Sequence, residues 1–198
     1  MNPLRLFFEE LAAEWDSQQP PNREENLRDL LRPFQHLLEQ AGSILELGTG
    51  TGALSPIILN ATRQPRLVSV DLAYAMLRRA RQRVVGNHLA QTDIHTLPFP
   101  DKSFDLAICH NCFPHLADKQ TALIEIRRTL VSGSWLLILH DGSREMINRI
   151  HREAANPVIH NDLIPPPRES FNILDSCGFE EIRVEDADHY FTLTGRKS

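Results

Sequence analysis

Apolar positions in the first forty residues recur with a helical period. Leu4, Phe7, Phe8, Leu11 and Trp15 fall at steps of three and four, which puts them on one face of a short helix over residues 3–16. Pro20-Pro21 ends it. A second helical stretch runs from Glu24 to Gln40 with a stripe of Leu27, Leu30, Leu31, Phe34, Leu37 and Leu38. Pro33 lies inside that stretch and predicts a kink or two pieces, and Gly42 is placed to cap the end.

The period then changes. Ser43–Leu47, Arg66–Asp71, Phe104–Cys109 and Ser134–His140 are short runs of nearly continuous apolar character, and Leu89–Asp93 is a weaker one. Such runs read as strands buried on both faces. Helical patterns separate them at about Gly52–Asn60, Ala73–Arg83 and Lys119–Leu130. Strands alternating with helices at this pace imply a parallel sheet covered on both sides. The end of the chain departs from the alternation. Pro165-Pro166-Pro167 opens a helix over Arg168–Cys177 with Gly178 as its cap; Glu181–Glu185 and Tyr190–Thr194 then form a hairpin that adds an antiparallel strand. The expected fold is a Rossmann-like α/β three-layer sandwich with a mostly parallel seven-stranded sheet.

With 198 residues and 41% apolar content, the chain suits one domain, residues 1–40 forming a helical lid on a core of residues 41–198. A formal charge of −5 without a basic stripe is a poor match for nucleic acid. The start lacks the apolar run of a signal peptide, no stretch is long enough to span a bilayer, and three cysteines make no disulfide framework. These features point to a cytoplasmic protein with a small-molecule partner and no membrane partner. Oligomeric state is not encoded in any pattern here.

Candidate chemistry concentrates where the first strand meets its helix. In Glu46-Leu47-Gly48-Thr49-Gly50-Thr51-Gly52 the glycines permit a tight turn and close approach of backbone to a ligand. Asp71 ends the next strand, where a carboxylate reaches the ribose hydroxyls of a nucleoside. Gly48-x-Gly50-x-x-Ala53 also fits the dinucleotide fingerprint, so the loop alone leaves an NAD(P)-dependent oxidoreductase open, and a glycine turn with no ligand beside it. Three features favour another nucleoside. Glu46 would repel a pyrophosphate but suits an ammonium. Asp93 falls where an adenine amine could be met. The terminal hairpin is foreign to the usual dinucleotide fold.

Ile44–Gly52, Val70-Asp71-Leu72, Gln91-Thr-Asp-Ile94 and Leu97-Pro-Phe-Pro-Asp-Lys-Ser-Phe-Asp105 together resemble successive motifs of class I S-adenosylmethionine-dependent methyltransferases, type 11, in the branch that includes the ubiquinone/menaquinone-biosynthesis enzymes. Glu125-Ile-Arg-Arg-Thr-Leu-Val-Ser-Gly133 resembles the family's E-x-x-R-x-L-x-x-G-G segment, with Val131 and Ser134 as departures. The resemblance implies S-adenosylmethionine as cofactor. Glu46, Gly48, Thr49, Gly50 and Gly52 would line its methionine and ribose. Asp71 would hold the ribose and Leu72 lie against the adenine. Asp93 and Ile94 would meet the adenine, and His110 the methionine end. It implies methyl transfer to a small molecule by in-line displacement, with a non-catalytic binding module as the alternative.

The acceptor should sit at the carboxyl ends of the fourth and fifth strands. Nine histidines are many for this length, and several fall there. His115, His140 and His151 are candidate catalytic groups. Trp15, Arg144, Asn148 and His160 are candidate acceptor contacts. Arg144, Asn148 and His151 are spaced four and three apart and share a helix face. Solvated or capping roles for these residues, and core roles for Trp15 and Phe7-Phe8, are the plain alternatives. Cys109-His110-Asn111-Cys112-Phe-Pro-His115 lacks the second cysteine pair of a zinc ribbon, and no metal site is assigned. A histidine-rich metal set from His115, His140, His151 and His160 stays open. The stretch His140–His151, followed by His160-Asn-Asp-Leu-Ile-Pro-Pro166, further resembles a methyltransferase subgroup with a His-Asp-x-Leu-Pro-Pro pattern, which Asn161 interrupts.

Overall fold

The computed structural model describes residues 2–63, 65–84 and 87–198; Met1, where the signal-peptide reading begins, lies outside them. Helices α1 (Pro3–Leu11), α2 (Arg23–Leu31) and α3 (Gln35–Gln40) precede β1 (Ser43–Leu47). Then follow α4 (Ser55–Ala61), β2 (Arg66–Asp71), α5 (Tyr74–Arg83), β3 (His88–Gln91), β4 (Phe104–His110), α6 (Lys119–Thr129) and β5 (Leu130–His140). The chain ends with α7 (Arg144–Glu153), α8 (Pro167–Ser176), β6 (Phe179–Asp186) and β7 (Phe191–Lys197).

The seven strands lie in the order β3-β2-β1-β4-β5-β7-β6, with β7 antiparallel to both its neighbours and the β1–β5 pairings parallel. The continuous apolar runs have a direct cause. In β4, Ala107 and Cys109 face the cluster under α6 and α8, while Leu106 and Ile108 face the cluster under α2, α3 and α4. β5 does the same with Leu136 and Ile138 against Leu137 and Leu139. Both faces of these strands are dry, so alternation disappears from the sequence.

Element boundaries moved where tertiary pairing overrode local pattern. Pro33 splits the second helical stretch: a 3-10 turn at Arg32–Phe34 separates α2 from α3. The first helix stops at Leu11 and resumes as a 3-10 turn at Trp15–Gln18. β5 begins at Leu130 rather than Ser134, because Leu130 pairs with Phe104 before Gly133, at φ +85°, re-aims the strand. Gly178 caps α8 in the left-handed region, its N–H donating to Asp175. Gly42 does not adopt that conformation; Ala41 ends α3 extended and leads straight into β1. Asp93 does not end β3, which stops at Gln91; its carboxylate instead caps the 3-10 turn Ile94–Thr96. Among the described residues no helix is long and apolar enough to cross a membrane.

Candidate active site

At the carboxyl ends of β1, β2 and β4 the sheet opens into a cavity of about 180 Å³. Its floor is the loop after β1. Gly48, Gly50 and Gly52 all have positive φ, at +66°, +55° and +79°, and they do different work. A Cβ at Gly48 would lie 2.5 Å from the Cys112 sulfur, and one at Gly52 would meet α5 at Ala80. A Cβ at Gly50 would meet nothing within 4 Å, although Gly50 lines the cavity. Two of the glycines therefore allow packing, and the third keeps space open for something else.

Asp71 at the end of β2 shapes this loop. One carboxylate oxygen accepts from the Gly50 N–H at 2.8 Å and the other from the Ala73 N–H at 2.9 Å. Burial nonetheless pushes its pKa up to about 6, against the opposing pull of those amides. Glu46, in β1, is fully buried; it accepts from the hydroxyls of Ser55 and Ser69, and burial raises its pKa. Glu46 and Gly52 lie behind the cavity wall, whereas Gly48, Thr49, Gly50, Asp71, Leu72, Asp93, Ile94 and His110 line it. Burial tends to raise the Asp93 carboxyl, but the backbone and ring of His95 bond to it and hold it below the ordinary value.

The wall opposite the loop is polar. Asn111, at φ +50°, donates from its amide to Asp141. His110 Nε2 lies 3.7 Å from the same carboxylate, too far for a hydrogen bond. Burial would raise the Asp141 carboxyl, yet His110, Asn111 and Arg23 around it drive it far below the ordinary range. His110 Nε2, Asn111 Oδ1 and Arg23 Nε are buried without hydrogen-bond partners, and all three residues line the cavity. The N-terminal segment forms the roof through Asn2, Leu4, Phe8 and Trp15. Asp16, just beyond, accepts from Thr51 at 2.6 Å and pairs with Arg83 at 2.7 Å.

A scan against family models matches residues 45–138 to the methyltransferase domain family. The malonyl-[acyl-carrier protein] O-methyltransferase of Geobacter sulfurreducens is 29% identical over 93% of this chain and 73% of its own. The ubiquinone/menaquinone biosynthesis C-methyltransferase of Vibrio campbellii is 30% identical over 74% of this chain and 54% of its own. In fold, an S-adenosylmethionine-dependent methyltransferase of Thermotoga maritima superposes with a TM-score of 0.79 at 21% identity, covering 98% of this chain and 100% of that one. Residues 45–138 carry the methyltransferase domain, and the chain has the fold of S-adenosylmethionine-dependent methyltransferases. It spans about half the length of several curated relatives of the family, 53% and 43% of two further malonyl-[acyl-carrier protein] O-methyltransferases.

The expected shared wall of histidines, Arg144 and Asn148 does not form as one surface. His115 and Trp15 line the cavity, whereas His140, His151, His160, Arg144 and Asn148 do not. His140 is buried behind the wall; burial pushes its pKa down to about 3, and its Nε2 has no partner. His151 is buried as well, bonded through Nδ1 to the Asp162 carbonyl. Asn148 spends its amide on the backbone of Ile164, donating at 2.9 Å and accepting at 2.8 Å. Arg144 turns away to Asp186 of β6 at 2.8 Å. His160 is exposed. The polar face of α7 is thus consumed in holding the 162–164 loop, through Asn148 and His151, and β6, through Arg144. Among the described residues no group of three His, Cys, Asp or Glu side chains is arranged to hold a metal. Arg23 and Asn111 carried no sequence signal: one follows a proline turn, and the other sits in a stretch that reads first as a cysteine motif.

A larger groove, about 630 Å³, lies between α2–α3 and the β5–β7–β6 face; Asp141 lines it, but the glycine loop, Asp71 and Asp93 do not.

Proposed function

We propose that this chain transfers a methyl group from S-adenosylmethionine to a small-molecule acceptor by in-line displacement. The observation that carries the reading is the cavity wall itself. Arg23 Nε, Asn111 Oδ1 and His110 Nε2 are buried without partners, and their three residues line one space beside a glycine that leaves that space open. Buried polar atoms without partners are costly, so a polar ligand is the natural complement. An amino-acid head group fits: Arg23 suits its carboxylate, and Asn111 Oδ1 beside the ionised Asp141 suits its ammonium. Asp71 and Leu72, which line the cavity, would meet the ribose and adenine, and Asp93 and Ile94 would meet the base. The bound cofactor supplies a methyl group already activated on a sulfonium.

The protein's task is then alignment and exclusion of water. The loop Gly48–Gly50 fixes one side of the ligand, the His110–Cys112 segment the other. Residues 2–18 act as a lid: Phe8 and Trp15 close the cavity, and Asp16 ties the segment to α4's approach and to α5. Arg23 alone would favour an anion, but the ionised Asp141 beside it would oppose a pyrophosphate, so an oxidoreductase reading gains no support.

Calorimetry tests this directly. S-adenosylmethionine and S-adenosylhomocysteine should bind one site, and NADH and NADPH should not. Binding of NADH with no binding of S-adenosylhomocysteine would sink the proposal.

A further inference from the structure

His115 stands at the cavity with its other face organised by residues far away in sequence. Its Nδ1 lies 2.8 Å from Asp162 Oδ2. An ionised carboxylate only accepts, so Nδ1 carries the proton and Nε2 keeps its lone pair. The ring lines the cavity and meets Phe8 of the lid edge-on at 5.1 Å. Asp162 is itself held. Its carbonyl accepts from His151, and two residues on, Ile164 is clamped by Asn148. Both anchors come from the buried face of α7. The loop is therefore fixed by two side chains that touch neither cavity nor solvent, and the carboxylate it presents reaches the one histidine of this group that lines the cavity.

We propose that His115 is the general base that deprotonates the methyl acceptor, with Asp162 as its positioning residue, so that the acceptor is a protic nucleophile such as a hydroxyl, thiol or amine. This rests on the methyl-transfer reading above. As the acceptor heteroatom forms its bond to the methyl carbon, the methyl–sulfur bond breaks and its electron pair stays on sulfur, leaving a neutral thioether. The acceptor's proton passes to His115 Nε2. The resulting imidazolium is stabilised by Asp162 and later releases the proton to water. The arrangement follows the logic of a carboxylate that fixes a histidine tautomer and favours its charged form.

The groups packed around His115 come from α7, β5, α6 and α1. His151 of α7 lies 5.0 Å away, ring to ring, and its own pKa is lowered by burial. His140 of β5, held neutral, is the other imidazole near it. From α6, Lys119 interacts through its charge with Asp162, and its ammonium is tied to the carbonyls of Pro114 and Leu116. α1 contributes only Phe8.

The test needs no acceptor at its first stage. In nitrogen-15 spectra of the full chain saturated with S-adenosylhomocysteine at pH 8, His115 should show a protonated Nδ1 and an unprotonated Nε2. Asp162→Asn should lose that tautomer preference without losing S-adenosylhomocysteine affinity. A proton on Nε2 of the wild-type protein overturns the proposal. For any member of a panel of a phenol, 2-mercaptoethanol and a primary amine that is methylated, His115→Gln should lower kcat about 100-fold. It should also remove the acidic limb of the pH–rate profile and leave the KM for S-adenosylmethionine unchanged. An unaltered rate in that variant overturns the base while leaving methyl transfer intact; failure of S-adenosylhomocysteine to bind overturns the earlier reading instead.

Discussion

Single residues in the cavity separate ligand binding from folding. At Gly50 the backbone is left-handed but the space around a Cβ is empty; at Gly48 the same Cβ strikes Cys112. Gly50→Ala should therefore fold, with a cost of about 1–2 kcal/mol for the backbone alone, and lose affinity for S-adenosylhomocysteine. Gly48→Ala should lose stability by more than that, because the neighbouring sulfur must move. Thermal unfolding and calorimetry on the pair distinguish the two effects, and equal losses of stability would contradict the geometry. Asp71 adds a pH dependence. Its carboxyl is raised to about 6 in the free protein, and ribose hydroxyls would favour its ionised form. Affinity should be full above pH 6 and fall toward tenfold per unit below it. Asp71→Asn should be weaker binding at neutral pH and flat over that range. A wild-type affinity that does not change between pH 5 and 7 would remove Asp71 from the ligand.

At the scale of elements, the motif residues divide into those that face the cavity and those that fasten the frame. Glu125 and Arg128 of α6 belong to the second kind. Arg128 donates to the carbonyls of Leu97 and Phe99 and to Asp101, and Glu125 accepts from the Leu97 N–H. They staple the 97–101 loop that leads into β4. Arg128→Ala should cost about 1–3 kcal/mol in urea unfolding and leave S-adenosylhomocysteine affinity near wild type, since carbonyls are left short of a charged donor. The N-terminal segment is fastened by Asp16, which meets Thr51, Arg83, Arg23 and Arg79, and by Glu9, which caps α5 at Tyr74 and Ala75. Asp16→Ala should speed S-adenosylhomocysteine release and expose residues 2–20 to proteolysis with little change in melting temperature. Release kinetics identical to wild type would mean that the segment is not a lid.

Across the whole molecule, buried histidine makes stability sensitive to acid. His140 has a folded pKa of about 3, below its unfolded value. Between those values the unfolded chain binds the extra proton, so stability is lost as pH falls below about 6.5. The size is about 1.4 kcal/mol per pH unit for one histidine. Asp71 works the other way: its raised pKa means the native state binds the proton, which favours folding as pH falls from about 6 toward 4. Wild-type stability should therefore change little from these two groups over that window. His140→Leu, which removes only the first, should become less acid-sensitive than wild type by about one proton's worth of slope in urea unfolding at pH 5 and 7. Parallel pH dependences would show that His140 is not held neutral by burial.

The sequence by itself determined the alternation of elements, the terminal hairpin and the glycine loop with its two following acids. Those depend on local backbone needs and on which strands are dry on both faces, and both leave a periodic trace. Tertiary structure alone decided what the second half of the site contains. Arg144, Asn148 and His151 share a helix face whose spacing suggests a pocket wall, but Asn148 and His151 anchor the 162–164 loop and Arg144 anchors β6. Periodicity reports that a face is polar, not which backbone its hydrogen bonds will satisfy. Arg23 reaches the cavity from a proline-led turn, and Asp162 reaches His115 at its edge from a loop with no period of its own. Their positions follow from contacts 35 and 47 residues apart in sequence, Asp16 with Thr51 and His115 with Asp162, and no local pattern encodes contacts of that range.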